Sequence, residues 1–456
     1  MEIKLFEVQK KNKKGLERLL EFPEERINEN TFNEVMKQYN ISASIEEESR
    51  LSSHIVCESL DSYTQQSQRY VVISREGFIL PEEIKGTEHE ESFKNIVMEC
   101  FELYEEMTEE AEGKARGRGA KDSNYKHKIP IEDGRYIIPL AAKTNVFVTM
   151  PGNKVVNFYR NLIQNPQKEL QEIADSFIEN ISEEFGKKAG DLIKKYAKDN
   201  MVDMEVVQKA YEGVFNQIDK NEVLFDRFEK PTQRVALGAI SSTNPNTPSK
   251  VYEKWEKDTK DLTNEPDKRA KKIAEKVLGY GHESIAEHDR SVYGTEQSLT
   301  SYHQFERHRL PENHREYFEQ IPIDREAYIP PKIEKNEEMR DKYLGLVGKV
   351  KEYRRQLMNE GYGSAASYLL LNADGVKVMT SSNARIDKLM LEQRTCSNAQ
   401  GEIRKRSTSI LDLLRDGLSY IYNRAGPPCT KDRCPEGDLS CKKTKEMRDK
   451  WGYYGK

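Results

Sequence analysis

The sequence predicts an α+β fold made of two similar halves. Its 456 residues are too many for one ordinary domain and suit two domains of roughly 200 residues each. Each half contains a β-branched, apolar segment, RYIIPLAAKTNVFVTM in the first and SAASYLLLNADGVKVMTSS in the second. Segments with helical periodicity of apolar residues follow in both halves. We therefore expect one domain over residues 1–225 and a second over residues 226–456.

Long helices are expected after these strands. In the first half the chain turns at Pro151-Gly152-Asn153, and helices are expected over about residues 154–163 and 167–185. In the second half the helical segments are NARIDKLMLEQR and AQGEIRKRSTSILDLLRDGLSYIY. A charged helix is expected within residues 331–355. Residues 105–128 are highly charged, contain Gly and lack apolar periodicity, so they are expected to form a surface loop.

The composition excludes several classes of protein. The chain has 73 basic and 78 acidic residues, and its net charge is −5, so it lacks the basic excess of a protein that wraps nucleic acid. The first residues, MEIKLFEVQKKNKKG, lack the apolar core of a signal peptide, and no apolar run approaches about 18 residues. We expect a cytoplasmic protein that binds neither nucleic acid nor a membrane.

Three of the six cysteines lie close together near the C-terminus. Cys429, Cys434 and Cys441 occur in the segment GPPCTKDRCPEGDLSCKK. Three thiolates are an incomplete zinc site that needs a fourth ligand, or a disulfide pair with one spare thiol. Free thiols in an ordered tail are the third reading. The sequence leaves these alternatives open, and no metal is assigned to the expected active site.

Two short polar groupings in residues 281–309 are weak signals when taken alone. His282 and His288 are six residues apart, which is a poor fit to one face of a helix and disfavours a shared metal. Local polar groups at a helix start explain them as well, with Ser284 near the cap. Arg307-His308-Arg309 is a compact anion receptor by residue type, because guanidinium groups bind phosphate in bidentate fashion.

Four segments together give a more specific signal. They are GHESIAEHDRSVYGTEQSLTSYHQFERHR at residues 281–309, NARIDKLMLEQRTCSNAQGEIR at 383–404, TQQSQRY at 64–70 and EDGRYIIPL at 132–140. All four resemble motifs of the flavin-dependent thymidylate synthases, and the first two match without a gap. The resemblance implies methylation of dUMP to dTMP with methylenetetrahydrofolate, FAD and NADPH.

The resemblance also implies an architecture. It suggests two tandem thymidylate synthase-like domains, each with a mixed or antiparallel sheet and long helices, packed together as a pseudo-dimer. The active site in that family is built where subunits of a homotetramer meet. A homodimer of tandem chains would then resemble the homotetramer and carry two working sites in place of four.

The motif residues are divided between the halves in a complementary way. The second half has Gln304, Arg307 and Arg394 but lacks the Ser-x-Arg segment, and Ala366 aligns with the family's phosphate-binding Arg. The first half has that segment and Arg135. Opposite the Arg-His-Arg motif, however, it has Cys57-Glu58-Ser59. Random decay would not favour this pattern, so we expect one composite site per chain.

The resemblance assigns roles to individual residues of the composite site. Residues expected to contact dUMP are Gln65, Ser67, Arg69, Tyr70, Arg135, Gln304, Arg307 and Arg394. Residues expected to hold FAD are Ser284, Glu287, Arg307, His308, Arg309, Asn383 and Arg385. Arg394, His308 and Gln304 are the expected catalytic residues, and Arg394 stabilises the uracil ionised at N3.

Three other readings remain at this stage. Leu389 stands where the family has an Asn, and the loop after Arg309 is short, which favours a flavin- or nucleotide-binding regulatory homologue. An enzyme of the same fold that acts on another pyrimidine is the second. A structural or nucleic-acid-binding protein is disfavoured by the acidic balance and by the lack of an aromatic and basic stripe.

Overall fold

The structure, a computed structural model, describes residues 2–8, 14–59, 62–75, 77–115, 117, 120–219, 222–259, 265–415 and 419–452. The chain folds into two compact units, and each takes segments from both halves of the sequence. Unit 1 comprises Met1–Ala210, Ser298–His303 and Tyr317–Gly375, and unit 2 comprises Tyr211–Gln297, Gln304–Glu316 and Val376–Lys456. The expected division into one domain over residues 1–225 and another over residues 226–456 remains a prediction.

The sheet of unit 1 has four antiparallel strands in the order β1-β2-β4-β3. Its strands are β1 (Glu2–Val8), β2 (Asn40–Ser49), β3 (Tyr63–Gln65) and β4 (Lys143–Pro151). In β4, Val146 and Val148 are buried while Phe147 between them is exposed. This period of two places one face of the strand on the core, as the apolar segment predicted.

The second sheet repeats this order of strands. It runs β5-β6-β8-β7, and the pairs β5–β6 and β7–β8 are antiparallel. Its strands are β5 (Val223–Arg227), β6 (Arg290–Ser298), β7 (Glu312–Arg315) and β8 (Gly375–Asn383). The α+β fold class and its tandem arrangement are confirmed.

Helices make up most of the rest of the described chain. The α-helices are α1 (Lys14–Glu21), α2 (Glu29–Met36), α3 (Arg50–Glu58), α4 (His89–Met107), α5 (Ile131–Gly134), α6 (Val155–Ile163), α7 (Lys168–Phe185), α8 (Lys187–Asp199), α9 (Met204–Phe215), α10 (Pro231–Ser241), α11 (Pro248–Thr259), α12 (Glu265–Gly279), α13 (Leu299–Phe305), α14 (Pro331–Glu334), α15 (Glu337–Asn359), α16 (Gly363–Ser367), α17 (Ala384–Arg394), α18 (Gly401–Arg415), α19 (Ser419–Tyr422) and α20 (Thr444–Trp451). Short 3-10 helices that matter below are Arg135–Ile137, Glu283–His288, Phe318–Gln320, Pro428–Thr430 and Gly437–Leu439. None of the described helices is long and apolar enough to cross a membrane.

Helix positions agree with the expected ones to within a few residues. The helices expected at 154–163 and 167–185 are α6 and α7. The charged helix is α15, which begins later than expected because the Asn336 side chain caps it by accepting a hydrogen bond from Met339 N at 3.2 Å. The expected loop at 105–128 starts inside α4, which continues to Met107.

A local twofold relation inside unit 1 joins corresponding segments of the two halves. Leu140 N donates to Leu370 O at 2.7 Å, and Asn372 N donates to Ile138 O at 2.9 Å. Pro139 pairs with Leu371 between them. Exchanging segment 138–140 with segment 370–372 maps each hydrogen bond onto the other, so Leu140 corresponds to Asn372 and Ile138 to Leu370. The two halves thus contribute equivalent paired segments to one compact unit.

The helices that follow β2 and β6 obey the same relation. Ser49 Oγ accepts from Ser52 N at 3.0 Å at the start of α3, and Ser298 Oγ accepts from Ser301 N at 3.0 Å at the start of α13. The corresponding histidines, His54 and His303, are both buried and meet edge to face with ring centroids 4.6 Å apart. Corresponding histidines of the two halves therefore contact each other within unit 1.

Candidate functional site

The three expected catalytic residues lie together in unit 2. Arg394, the last residue of α17, donates from Nε to His308 Nε2 at 2.6 Å and from Nη2 to the carbonyl oxygen of Gln304 at 2.8 Å. A guanidinium group held at two points has a fixed plane. The structure therefore presents Arg394 as an oriented cation beside an imidazole.

His308 is held in its neutral form. Burial, and after it the positive charges of Arg394 and Arg309, together lower the pKa of His308 to about 3. Because Nε2 accepts the hydrogen bond from Arg394, the single ring proton belongs on Nδ1. At neutral pH His308 is a hydrogen-bond donor at Nδ1 and carries no charge.

Gln400 is a member of this cluster to which the sequence gave no role. Gln304 Nε2 donates to Gln400 Oε1 at 2.6 Å, and both side chains are buried. Gln400 and Glu402 belong to the A-Q-x-E-I motif in residues 399–403, so a signal for Gln400 was present in the sequence. The amide pair fixes the side chain of Gln304.

Several residues expected to hold FAD meet at the beginning of α17. Asn383 caps the helix by accepting from Ile386 N at 3.1 Å. The next exposed side chain, Arg385, forms an ion pair with Glu287. Ser284 is exposed in the same 3-10 helix as Glu287, and the backbone closes the group because Ala384 N donates to Asp289 O at 3.0 Å. Asn383, Arg385, Glu287 and Ser284 are therefore brought to one end of α17.

Asp387 anchors α17 from below. Its two carboxylate oxygens accept from Tyr293 OH at 3.1 Å and from Tyr422 OH at 3.2 Å, and all three residues are fully buried. Burial raises the pKa of Asp387 from 3.8 to about 7, although Ser382 and the two tyrosines lower it in part. The helix that carries Arg385 and Arg394 is thus positioned by a buried carboxyl group.

Asp387→Asn is expected to change the pH dependence of stability. The folded protein keeps the carboxyl protonated up to about pH 7, whereas the unfolded chain releases the proton near pH 4. The stability contributed by the raised pKa is therefore fully present below pH 4 and is lost as the pH rises to 7, by up to about 4 kcal/mol. Urea unfolding between pH 4 and 8 measures this loss, which Asp387→Asn should remove. Asp412→Asn, on the exposed face of α18, is the control. Parallel pH curves for the wild type and Asp387→Asn would contradict the assignment.

The expected phosphate-binding residues are grouped in unit 1. Arg69 donates from Nε and Nη2 to Glu132 Oε2, at 2.8 and 2.7 Å, and Arg135 Nε donates to the backbone oxygen of Glu132 at 3.3 Å. Ser67 Oγ accepts from Arg69 N at 3.3 Å. Both guanidinium groups are therefore positioned by Glu132. Sequence reasoning missed Glu132 because acidic residues are not expected among phosphate ligands.

Two further predicted residues border this group. Tyr70 is half exposed, and its ring packs against the Arg69 guanidinium at 5.6 Å. Gln65 is buried and donates from Nε2 to Ser53 Oγ at 2.8 Å and to Cys57 Sγ at 2.9 Å. Ser67 also lines a cavity of about 170 Å³ together with Gln68, Val71, Ile73 and Thr144. The predicted nucleotide segment thus lies beside an open space.

Comparison with known proteins identifies the family. Thymidylate synthase complementing proteins match this chain over residues 7–185 and 224–418, which is most of its length. The chain belongs to this family. The predicted family and enzyme class are confirmed, and the two matched regions are called the first and second repeats below.

Relatives of this family member resemble about half of it. The flavin-dependent thymidylate synthase of Pyrococcus furiosus is 30% identical over 238 residues, which cover 49% of this chain and 93% of the relative. The enzyme of the same name from Clostridium tetani is 29% identical over 215 residues, covering 41% and 82%. That of Geobacter sulfurreducens is 27% identical over 179 residues, covering 38% and 77%. A tandem chain explains why relatives that are covered over 77% to 93% of their length span less than half of it.

The second repeat has a carboxylate where the first has Arg69. Strand β7 pairs with β8 as β3 pairs with β4, which aligns Arg315 with Gln65. The turns after these strands also agree, because Gln320 N donates to Tyr317 O and Tyr70 N donates to Ser67 O. Counting along the turn, Glu319 corresponds to Arg69.

The second repeat also lacks an arginine at the position of Arg135. The local twofold relation aligns Ser367 with Arg135, because Tyr368 corresponds to Tyr136 in the paired strands. Within unit 1, the buried Gln167 side chain donates from Nε2 to the Glu319 carboxylate and, at 3.3 Å, to Ser367 Oγ. In the second repeat, the residues that correspond to Arg69 and Arg135 are therefore Glu319 and Ser367, and both accept hydrogen bonds from Gln167.

Two alignments made from the sequence are corrected by one residue. Ser367, not Ala366, lies opposite Arg135. The N-terminal hydrogen bonds of α3 and α13 place Glu58 and Ser59, not Cys57 and Glu58, opposite Arg307 and His308. The position opposite Arg309 is residue 60, outside the described residues. A short motif that is absent from one repeat cannot fix the alignment of the two repeats. Matching backbone hydrogen bonds fix it to the residue.

Proposed function

We propose that this family member methylates dUMP reductively to dTMP, using FAD, methylenetetrahydrofolate and NADPH, at one composite site per chain. The observation that supports this most strongly is the complementary content of the two repeats. The first keeps Arg69 and Arg135, and the second keeps the cluster of Gln304, His308 and Arg394. Each repeat has lost what the other retains, which is expected if selection maintains a single site.

Arg69 and Arg135 bind the phosphate of dUMP in this proposal, with Ser67. Hydrogen bonds from guanidinium groups to phosphate are charge-assisted and about twice as strong as neutral ones. Glu132 holds both arginines and so reduces the entropy lost when phosphate binds. Gln65 and Tyr70 border the same nucleotide.

Arg394 activates the uracil ring, and Gln304 and Arg307 help to hold it. A guanidinium group cannot act as a base because its pKa is above 12. It stabilises negative charge at N3 instead, and the charge makes C5 more nucleophilic. The hydrogen bonds from Arg394 to His308 and to the Gln304 backbone orient this cation before the substrate arrives, which is electrostatic preorganisation.

The residues of unit 2 fit the proposed FAD site. A flavin dinucleotide carries a negatively charged diphosphate, and the group includes Arg307, Arg309 and Arg385 on partly or fully exposed surface. Asn383 uses its carbonyl oxygen as the cap of α17, so its amide nitrogen is directed away from the helix and suits a ligand acceptor. FAD supplies hydride-transfer chemistry and carriage of the one-carbon unit when bound. His308 contributes a proton held on Nδ1, and Glu287 orients Arg385.

The second composite site, in which the two repeats exchange roles, is proposed not to bind nucleotide. There, Glu319 and Ser367 stand in place of Arg69 and Arg135, and Gln167 donates hydrogen bonds to both. Leu162 stands in place of Arg394. Gln167 stands directly before α7, as Gln400 stands directly before α18 in the second repeat. Gln400 therefore joins Gln304 and Arg394 in the part of the site that the second repeat supplies.

The number of flavins per chain tests this proposal. We expect about one FAD per purified chain by absorbance, and a change in the flavin spectrum when dUMP is titrated. A value of about two would show that both repeats bind flavin and would exclude complementary loss. Absence of flavin, even after incubation with FAD, would favour a regulatory protein. The proposed assembly is a homodimer of tandem chains that resembles the homotetramer of the family, and sedimentation measures its mass. The proposed location is the cytoplasm.

A second candidate function is a flavin- or nucleotide-binding homologue without thymidylate synthesis. Leu389 favours it, because it stands where the resemblance places an Asn that contacts FAD, and its side chain is exposed on α17. An enzyme that acts on another pyrimidine is the related alternative. Tritium release from [5-³H]dUMP compared with the corresponding cytosine nucleotide distinguishes these two from the proposed reaction.

A further inference from the structure

The C-terminal segment beyond the family match packs on the loop that follows α17. The match ends at residue 418, and the segment continues with α19, three 3-10 helices (Asn423–Ala425, Pro428–Thr430 and Gly437–Leu439) and α20. Asn398 Nδ2 donates to Leu439 O at 2.9 Å, and Ser397 Oγ lies 3.7 Å from the sulfur of Met447. Cys396 precedes these residues directly, and Cys441 follows Leu439 by two positions. Two cysteines distant in sequence are therefore brought to the same place.

The other two cysteines of the segment are fixed at the same place. Arg448 Nε donates to Cys429 O at 2.9 Å and its Nη2 donates to Asp432 O at 3.1 Å, which ties the 3-10 helix Pro428–Thr430 to α20. Cys429 and Cys434 pack on one apolar cluster with Met447. The segment thus folds its three cysteines around the end of α17.

The four thiols are close enough to influence one another. Burial raises the pKa of Cys396, and the nearby thiols of Cys441 and Cys434 raise it further. Burial likewise raises the pKa of Cys429, and Cys396, Cys434 and Cys441 add to the effect. For Cys396 and Cys429 these surroundings disfavour the thiolate form and so lower nucleophilic reactivity. A divalent cation would reverse this preference.

We propose that Cys396, Cys429, Cys434 and Cys441 form a four-thiolate zinc site that attaches the C-terminal segment to the end of α17. Cysteine sulfurs in a set of four are the ligands of structural zinc. The fourth ligand that the tail spacing lacked is Cys396, which lies 33 residues before Cys429. Binding displaces the thiol protons to solvent, so affinity rises with pH.

Zinc binding requires the four sulfur atoms to come closer together. Among the described residues, no three of these sulfur atoms lie within 4.8 Å of one another. In a tetrahedral site with Zn–S bonds near 2.3 Å, sulfur atoms are about 3.8 Å apart. The segments 431–433 and 435–440 connect the tail cysteines and are partly exposed, so they can move inward. Closure would tighten the packing next to Arg394, which is two residues from Cys396.

Metal analysis of the purified full-length chain tests the proposal. We expect about one zinc per chain by mass spectrometry, and loss of zinc affinity on the order of 100-fold or more in each of Cys396→Ser, Cys429→Ser, Cys434→Ser and Cys441→Ser. Cys100→Ala, buried in α4 of unit 1, is the matched control and should keep its zinc. Retained affinity in Cys396→Ser would exclude Cys396 as the fourth ligand and overturn the site as assigned.

A measurement on the wild-type chain keeps the test independent of variant folding. Titration with a thiol-reactive mercurial should release zinc to a chromogenic chelator as four thiols per zinc are modified. No metal after incubation with zinc under reducing conditions, or disulfides between these cysteines in their place, would overturn the proposal. Iron with absorbance near 400 nm would overturn it in favour of an iron–sulfur cluster, which also uses four cysteines. These results do not depend on dUMP or FAD.

Discussion

Arg394→Ala is expected to lower the rate of dTMP formation about 10²- to 10³-fold and to leave FAD bound. Arg394 is held by His308 Nε2 and by the carbonyl of Gln304, so its guanidinium is oriented before substrate binds. Removing one preorganised donor from a reacting anion costs about this much in other enzymes. Of the residues proposed for the flavin, Asn383 and Arg385 lie at the other end of the same helix, while His308 loses the hydrogen bond that Arg394 donates.

Steady-state rates, together with flavin absorbance per chain, measure this prediction. Arg290→Ala, on the exposed surface of β6, is the control for loss of an arginine in unit 2. Arg394→Lys should recover little activity, because an ammonium group cannot donate two hydrogen bonds in one plane. Release of FAD from Arg394→Ala, with activity lost only for that reason, would show that Arg394 belongs to the flavin site.

The same variant gives a readout that a purely structural role would not produce. Arg394 is one of the charges that lower the pKa of His308, after burial. The pKa of His308, measured by NMR of labelled histidine, should therefore rise in Arg394→Ala but stay below its ordinary value. An unchanged pKa would mean that the two side chains are not in contact in solution.

Regular elements were predictable because their signals are local. The helices after β4 and β8 follow from apolar residues at helical spacing. The β-branched, apolar segment RYIIPLAAKTNVFVTM indicated the strand that the structure has as β4. These features depend on neighbours within a few residues, so they can be predicted from a single sequence.

Partners brought together by the fold were not predictable in the same way. Glu132 is far in sequence from Arg69, and Tyr293 and Tyr422 come from distant segments to meet Asp387. Cys396 lies 33 residues before Cys429, and nothing near it in sequence connects it with the tail cysteines. Such contacts depend on strand register and helix packing, which short motifs do not encode.

Arg69→Ala and Glu319→Ala form a matched pair that asks which of two corresponding positions binds phosphate. Arg69→Ala is expected to weaken dUMP binding about 10- to 100-fold, because a hydrogen bond to a charged group contributes roughly 1.5–3 kcal/mol. Glu319→Ala is expected to leave dUMP affinity unchanged within about twofold, since Gln167 already occupies that position. Calorimetric titration of dUMP gives both the affinity and the number of sites, which should be about one per chain.

The pair separates an effect on binding from an effect on folding. Glu319→Ala deprives the buried Gln167 of an acceptor, so it should lower stability by about 1–3 kcal/mol, seen in urea unfolding, while dUMP titration is unaffected. Arg69→Ala removes a partly exposed ion pair with Glu132 and should cost less stability. The two variants are therefore expected to have opposite profiles. Reduced dUMP affinity in Glu319→Ala, or unchanged affinity in both Arg69→Ala and Arg135→Ala, would contradict the composite site.

Reversing the charge at Glu319 should not create a second nucleotide site. Glu319→Arg restores one guanidinium, but Ser367 and Leu162 still stand where the other repeat has Arg135 and Arg394. A single charge-assisted contact does not offset the desolvation of a phosphate dianion in a position that Gln167 fills. The stoichiometry of dUMP should stay at about one per chain in Glu319→Arg, and a second binding event would show that one residue alone closed the site.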